Sequence, residues 1–255
     1  MQPGIFIMLQ LKSLLIRICI PLLVISSCNK NESIESAGTL ELIASYKVDV
    51  IEPSGLGINN TGTVLYTVSD NTNKIYKLTT TGSIIQSFSY VGNDLEGVSA
   101  YTSNKLLVAE ERTKEIVVFD MTSNQSVKHE IAYENKDENS GIEGVAYDAD
   151  HNSIFILNEK SPGLLIALRP DFSVASETEL HFASDFSGIY YESLNQNLWI
   201  VSDQNKSVYQ CDLKGKVLES YPINVVKAEG IVVTIDKIYI ISDSEEKLYI
   251  FKKPE

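Results

Sequence analysis

Residues Ala228 to Asp243 read Ala-Glu-Gly-Ile-Val-Val-Thr-Ile-Asp-Lys-Ile-Tyr-Ile-Ile-Ser-Asp. Two apolar runs rich in β-branched and aromatic residues flank a polar turn, which is the pattern of two short antiparallel strands. A Glu-Gly pair opens the first run, and Ser-Asp closes the second. The same unit recurs upstream. Its glycine is Gly55 in Ser54-Gly55-Leu56, Gly97 in Glu96-Gly97-Val98, Gly144 in Glu143-Gly144-Val145 and Gly188 in Ser187-Gly188-Ile189. The steps between successive glycines are 42, 47, 44 and 42 residues. A carboxylate ends an aliphatic run thirteen to fifteen residues after each glycine: Asp70, Glu111, Glu159, Asp203 and Asp243. A third run then follows, such as Lys74 to Leu78 or Lys247 to Phe251.

A period near 44 residues with four short strands per unit is the signature of a β-propeller blade. The expected fold is therefore all-β, a five-bladed β-propeller with four-stranded blades. Repeat five, from Ala228 to Glu255, has room for only three strands. The stretch Thr39 to Val48 supplies one more strand at the other end of the chain. Placed as the outer strand of the last blade, it closes the ring and covers an open edge. A sixth blade would need about 40 more residues on this period.

The 255 residues carry 21 basic and 34 acidic side chains, a net charge of −13, so the basic footprint that a nucleic-acid binder needs is missing. Hydrophobic residues make up 44%, too many for a disordered chain. Residues 1–27 contain no acid, and Lys12 and Arg17 precede the apolar run Ile18 to Ile25. This is the layout of a secretory signal, with an apolar stretch too short for a permanent span. Ile25-Ser26-Ser27-Cys28 resembles a bacterial lipobox, and residues 28–38 read as a polar tether. The expected organisation is a signal peptide over 1–27, a tether from a lipidated Cys28, and a propeller over 39–255. The acyl chain would hold the domain on the cell-envelope membrane, the outer membrane by expectation. An ordinary cleaved signal with an incidental cysteine is the other reading. With Cys19 removed and Cys28 acylated, Cys211 is left without a partner.

Asp94-Leu-Glu-Gly-Val98, Gly141-Ile-Glu-Gly-Val-Ala-Tyr147, Phe186-Ser-Gly-Ile-Tyr190, Ala228-Glu-Gly-Ile231 and the Val201-Ser-Asp203 ending together resemble the SdiA-regulated (YjiK-like) family of bacterial envelope proteins. The resemblance spans about Thr39 to Pro254. It implies a five-bladed propeller with a bound calcium ion, distantly similar to proteins with NHL repeats, and it implies no particular reaction. Ser54 and Ser187 depart from the repeated Glu-Gly pattern.

In such a ring the first strand of each blade lies nearest the axis. The residue before its glycine then projects at the channel mouth, and the antiparallel second strand ends on the same face. Glu96, Glu143 and Glu229 should therefore meet Asp70, Glu111, Glu159, Asp203 and Asp243 there, about 4.8 Å apart between neighbouring strands. Carboxylates so crowded raise one another's pKa unless a cation neutralises them. Oxygen donors without His or Cys suit Ca2+. The expected metal ligands are Glu96, Glu143, Glu229, Glu111, Glu159 and Asp203, with Ser54 or Ser187 able to add a hydroxyl. For Asp70, Asp203 and Asp243 a turn-capping role competes with ligation. Glu110 should point away from Glu111.

Two function classes fit this pattern. One is a non-enzymatic binding or scaffold module that presents a propeller rim to an envelope protein or small ligand. The other is a calcium-dependent hydrolase acting on an ester, lactone or phosphoester. His129, His151 and His181 do not repeat in phase with the mouth, and no nucleophile elbow or phosphate-binding loop is present.

Overall fold

A computed structural model of the protein describes residue 1, residues 35–134 and residues 140–254. The expected signal peptide, Cys28 and most of the tether lie outside the described residues, as do residues 135–139 of the long loop in the second repeat. Among the described residues, twenty strands form five four-stranded antiparallel sheets, each a blade of the propeller expected from the repeats. Blade 1 comprises β2 (Pro53–Ile58), β3 (Val64–Ser69), β4 (Lys74–Thr79) and β5 (Ile84–Val91). Blade 2 comprises β6 (Leu95–Thr102), β7 (Lys105–Glu110), β8 (Glu115–Asp120) and β9 (Gln125–Glu130). Blade 3 comprises β10 (Ile142–Asp148), β11 (Ser153–Asn158), β12 (Leu164–Leu168) and β13 (Val174–Glu179). Blade 4 comprises β14 (Gly188–Glu192), β15 (Asn197–Ser202), β16 (Ser207–Cys211) and β17 (Val217–Pro222). Blade 5 joins both ends of the chain: β18 (Ala228–Val233), β19 (Lys237–Ser242) and β20 (Lys247–Lys252) are completed by β1 (Leu42–Lys47), which pairs antiparallel with β20.

Why the second strands are continuous apolar runs becomes clear from the packing. Each lies between two blades and is buried on both faces, so no polar alternation is possible. In β15, Leu198 and Ile200 enter the core shared with blade 3, while Trp199 and Val201 enter the core shared with blade 5. In β19, Ile238 and Ile240 face blade 4, and Tyr239 and Ile241 face blade 1. Five such clusters, one per blade interface, make up the core. Outer strands carry no such burden: β9 and β13 are mostly exposed and polar.

The repeated glycines close the ring. A Cβ on Gly97 would meet Gly144 Cα at 3.1 Å, one on Gly188 would meet Gly230 Cα at 3.1 Å, and one on Gly230 would meet Gly55 Cα at 2.9 Å. Backbone therefore crowds backbone around the axis, where a space of only about 10 Å3 remains. Gly55 is constrained twice, because its φ of 56° is also in the left-handed region. The glycine ring divides the axis into two mouths.

Candidate metal centre at one mouth of the ring

The glutamate before the glycine is the extra residue of a β-bulge. In blade 2, Leu95 pairs with Glu110 and Gly97 with Ala109, so Glu96 has no partner across the ladder. Glu143 is skipped in the same way between Ile142 and Gly144, and Glu229 between Ala228 and Gly230. A bulge re-aims a side chain and kinks its strand. Blade 4, where Ser187 replaces the glutamate, pairs Gly188 with Val201 and has no register shift. In blade 1, where Ser54 stands instead, Ser54 pairs with Val68 and the register shifts only after it, before Gly57.

Second strands end on the same face, and in blades 1, 4 and 5 the serine before the terminal carboxylate does the turn-closing work. The Ser69 hydroxyl accepts the Thr72 N–H at 2.9 Å and donates to the Ile51 carbonyl at 2.7 Å. Ser202 accepts the Asn205 N–H at 3.1 Å, and Ser242 accepts the Glu245 N–H at 3.3 Å while donating to the Val226 carbonyl at 2.5 Å. All three serines are fully buried. Capping of these turns accordingly falls to serine and leaves the following aspartates to other contacts. Asp203 accepts the Lys227 N–H at 2.7 Å. One buried oxygen of Asp70 and one of Asp243, Oδ1 in each, have no hydrogen-bond partner among the described residues. A buried carboxylate oxygen without a partner costs free energy unless something positive reaches it.

Glu96 and Glu111 come together with Asp94, a residue the repeat pattern had not singled out. One carboxylate oxygen from each lies within 4.8 Å of the other two, and all three side chains are half-buried. Asp94 stands three residues before the glycine with φ 59°, held where its N–H donates to Asn73 Oδ1 at 2.6 Å. Glu143 lies near enough for Glu96 and Glu111 to act on its charge.

Electrostatics follow from burial and like charge. Burial, then Asp70, Glu111 and Glu229, hold the Glu96 carboxyl well above the usual range, against a weaker opposing hydrogen bond from Ser54. Glu143 is raised likewise by burial and by Glu96, Glu111, Glu159 and Glu229. Glu111 rises through burial, Asp94 and Glu159. Asp70 is pushed up to about 6 by burial, with Asp243, Glu52 and Asp94 adding to it. Glu229 is pushed up to about 7, chiefly by burial, although Lys227 pulls it down.

Cations enter this mouth too, which carboxylate spacing alone did not reveal. Lys160 Nζ lies 2.5 Å from Glu159 Oε2, Lys227 Nζ 3.5 Å from Glu229 Oε1, and Arg112 Nη2 2.8 Å from Asp94 Oδ2. Of the six expected ligands, Glu96 and Glu111 gather with Asp94 and Glu143 lies near them, whereas Glu159, Glu229 and Asp203 each have a partner of their own. Glu110 points away, fully buried, and binds Tyr90 and Lys128 instead. The histidines lie elsewhere: His129 stacks on Phe172 at 3.7 Å, His151 contacts Asp148 at 2.8 Å, and His181 is exposed after β13. The donor set is all oxygen and strongly anionic, with two buried oxygens unpartnered, and so fits a hard divalent cation.

Solved structures similar to this chain in fold include a glutaminyl cyclase from Myxococcus xanthus and a virginiamycin B lyase from Staphylococcus aureus. The first matches with TM-score 0.65 and 12% identity over 86% of this chain and all of its own. The second matches with TM-score 0.50 and 17% identity over 79% of this chain and 66% of its own. At these identities the likeness is one of fold. A family model, SdiA-regulated, matches residues 39–182 and 170–254, nearly the whole propeller. The chain belongs to the SdiA-regulated family.

Proposed function

We propose that this protein is a calcium-binding propeller module, held at the cell envelope by a lipid on Cys28, that serves as a binding or scaffold domain. The observation that carries the metal is the pair of buried, unpartnered oxygens on Asp70 and Asp243 beside a cluster of half-buried carboxylates. Asp94, Glu96 and Glu111 would hold the ion, with the Glu143 carboxyl near enough to add its charge. A bound Ca2+ supplies positive charge that ties blades 1, 2 and 3 together at the axis. The anchor rests on the lipobox-like Ile25 to Cys28 and on the polar residues after it.

A hydrolase reading draws on one observation, the partial exposure of Asp94, Glu96 and Glu111, which would leave a bound cation facing water. It needs a base besides, and the described histidines lie away from this mouth.

Titration calorimetry of chelator-treated protein with CaCl2 tests the metal. The expected result is one site per chain, weakened at least tenfold by Glu96→Gln and by Asp94→Asn. Heats equal to those of dilution, from protein verified to be metal-free, would overturn it.

A further inference from the structure

The opposite mouth has a different chemistry. There the inner strands of all five blades end in short turns around a cavity of about 540 Å3. The glycine ring separates it from the carboxylates, since little more than a water-sized space remains on the axis between them. Its wall includes the rings of Tyr101, Tyr147 and Tyr190, with Ile58 and Val233 at the strand ends. Tyr101 and Tyr147 meet edge to face, centroids 4.7 Å apart at 80°. Tyr147 is fixed by a 2.9 Å hydrogen bond between its hydroxyl and Asn152 Oδ1. Tyr190 is largely buried beside Glu192, which together push its hydroxyl up to about 12 and keep it a neutral donor.

Among the described residues Glu192 is the sole carboxylate of the lining, and its charge is already spent. It is buried, paired with Lys253, and accepts the Trp199 Nε1–H at 2.9 Å. No Lys or Arg lines the cavity among the described residues. At the rim, Leu194 and Ile235 are 65% and 75% exposed on turn tips, a place where polar residues are the rule. They extend the apolar wall outward instead. Hydroxyl and amide groups of Ser99, Thr234 and Asn60 supply a few polar contacts.

We propose that this cavity is a binding site for one small, uncharged molecule with a flat aromatic body. Its volume falls in the range of small-molecule sites, which are mostly apolar with few polar groups. Aromatic walls set edge to face accept a further ring in stacked or edge-on contact. A charged ligand would have to give up its hydration without a free counter-charge in the wall. The site is independent of the carboxylate mouth and does not rest on calcium.

N-phenyl-1-naphthylamine, a neutral fluorophore that brightens when it leaves water, is a suitable probe. The expected result is a saturable rise in emission with one probe per protein. Ala100→Trp, which fills the cavity, should weaken binding at least tenfold. Ile235→Glu, at an exposed turn position that no core depends on, should weaken it severalfold, and it keeps the test decisive if the filled variant does not fold. Asp70→Asn, at the other mouth, should leave binding unchanged. Absence of saturable binding, or equal binding by wild type and Ile235→Glu, would overturn the site. Equal affinity for the anionic relative 8-anilino-1-naphthalenesulfonate would overturn its preference for uncharged ligands.

Discussion

The Ser69 hydroxyl accepts the Thr72 amide at 2.9 Å and thereby closes the turn in which Asp70 stands, with Asp70 Oδ1 buried and unpartnered. Adjacent residues thus divide two tasks, stability for the serine and charge for the aspartate. Ser69→Ala should cost about 1–2 kcal/mol, because two buried hydrogen bonds lose their centre. Asp70→Asn should cost nothing in the presence of chelator, since it removes a poorly solvated charge. Urea denaturation of both variants in EGTA reads the contrast, and equal losses would contradict the division.

Acid should stabilise the metal-free ring over part of its range. Asp70 at about 6 and Glu229 at about 7, with Glu96 and Glu143 also raised, bind protons more tightly folded than unfolded. Their contribution is fully favourable below the ordinary carboxylate pKa of about 4 and is lost as pH rises through the folded values. In EGTA the melting temperature should therefore fall between about pH 5 and 7. Carboxylates lowered by their hydrogen bonds, such as Asp150 and Asp171, act at lower pH and do not oppose this trend. A midpoint that rises across that window would argue against a crowded acidic mouth.

Gly55 and Gly62 separate crowding from backbone strain. Both have positive φ, 56° and 69°, but a Cβ on Gly55 would sit 2.5 Å from the Glu96 carbonyl oxygen, while one on Gly62 meets nothing within 4 Å. Gly62→Ala should cost about 1 kcal/mol from the left-handed conformation alone. Gly55→Ala should cost more than about 3 kcal/mol, because rigid backbone on both sides cannot yield. Chemical denaturation of the pair distinguishes them, and similar costs would mean that the ring is looser than its contacts imply.

Lys253, just beyond β20, reaches back to Glu192 of blade 4, and their side chains are only 9% and 6% exposed. Lys253→Met should cost about 3 kcal/mol by leaving a buried carboxylate without its counter-charge. The double variant Lys253→Met, Glu192→Gln should recover much of the loss. Failure of the second change to rescue the first would show that the pair contributes little as an ion pair.

How far the site could be read in advance depended on phase. A residue that recurs at a constant offset from the glycine, such as Glu96, Glu143 or Glu229, was visible because three of the five copies carry it in the same bulge. Strand-end carboxylates were visible by recurrence as well, and so was ring closure by β1, because repeat five is one strand short. Asp94 stood out less: Glu52 and Asp185 at the equivalent positions are also acidic, but Gly141 and Lys227 break the pattern, and the acidic three belong to different blades from the repeated Glu-Gly pairs in all but blade 2. Lys160 and Lys227 reach the mouth from single blades and leave no periodic trace. The role of Ser69, Ser202 and Ser242 was hidden by the aspartate beside each, since both residue types cap turns. The tyrosine-walled cavity draws on different positions in each blade, so it emerged only once the turns were assembled around the axis.

The most direct measurement is an anomalous difference map from crystals of the protein grown with CaCl2, collected at a wavelength where calcium scatters anomalously. The account predicts one peak at the carboxylate mouth, within about 2.3–2.6 Å of oxygens from Asp94, Glu96 and Glu111. A map without a peak at that mouth, from crystals grown at saturating calcium, would contradict the central claim.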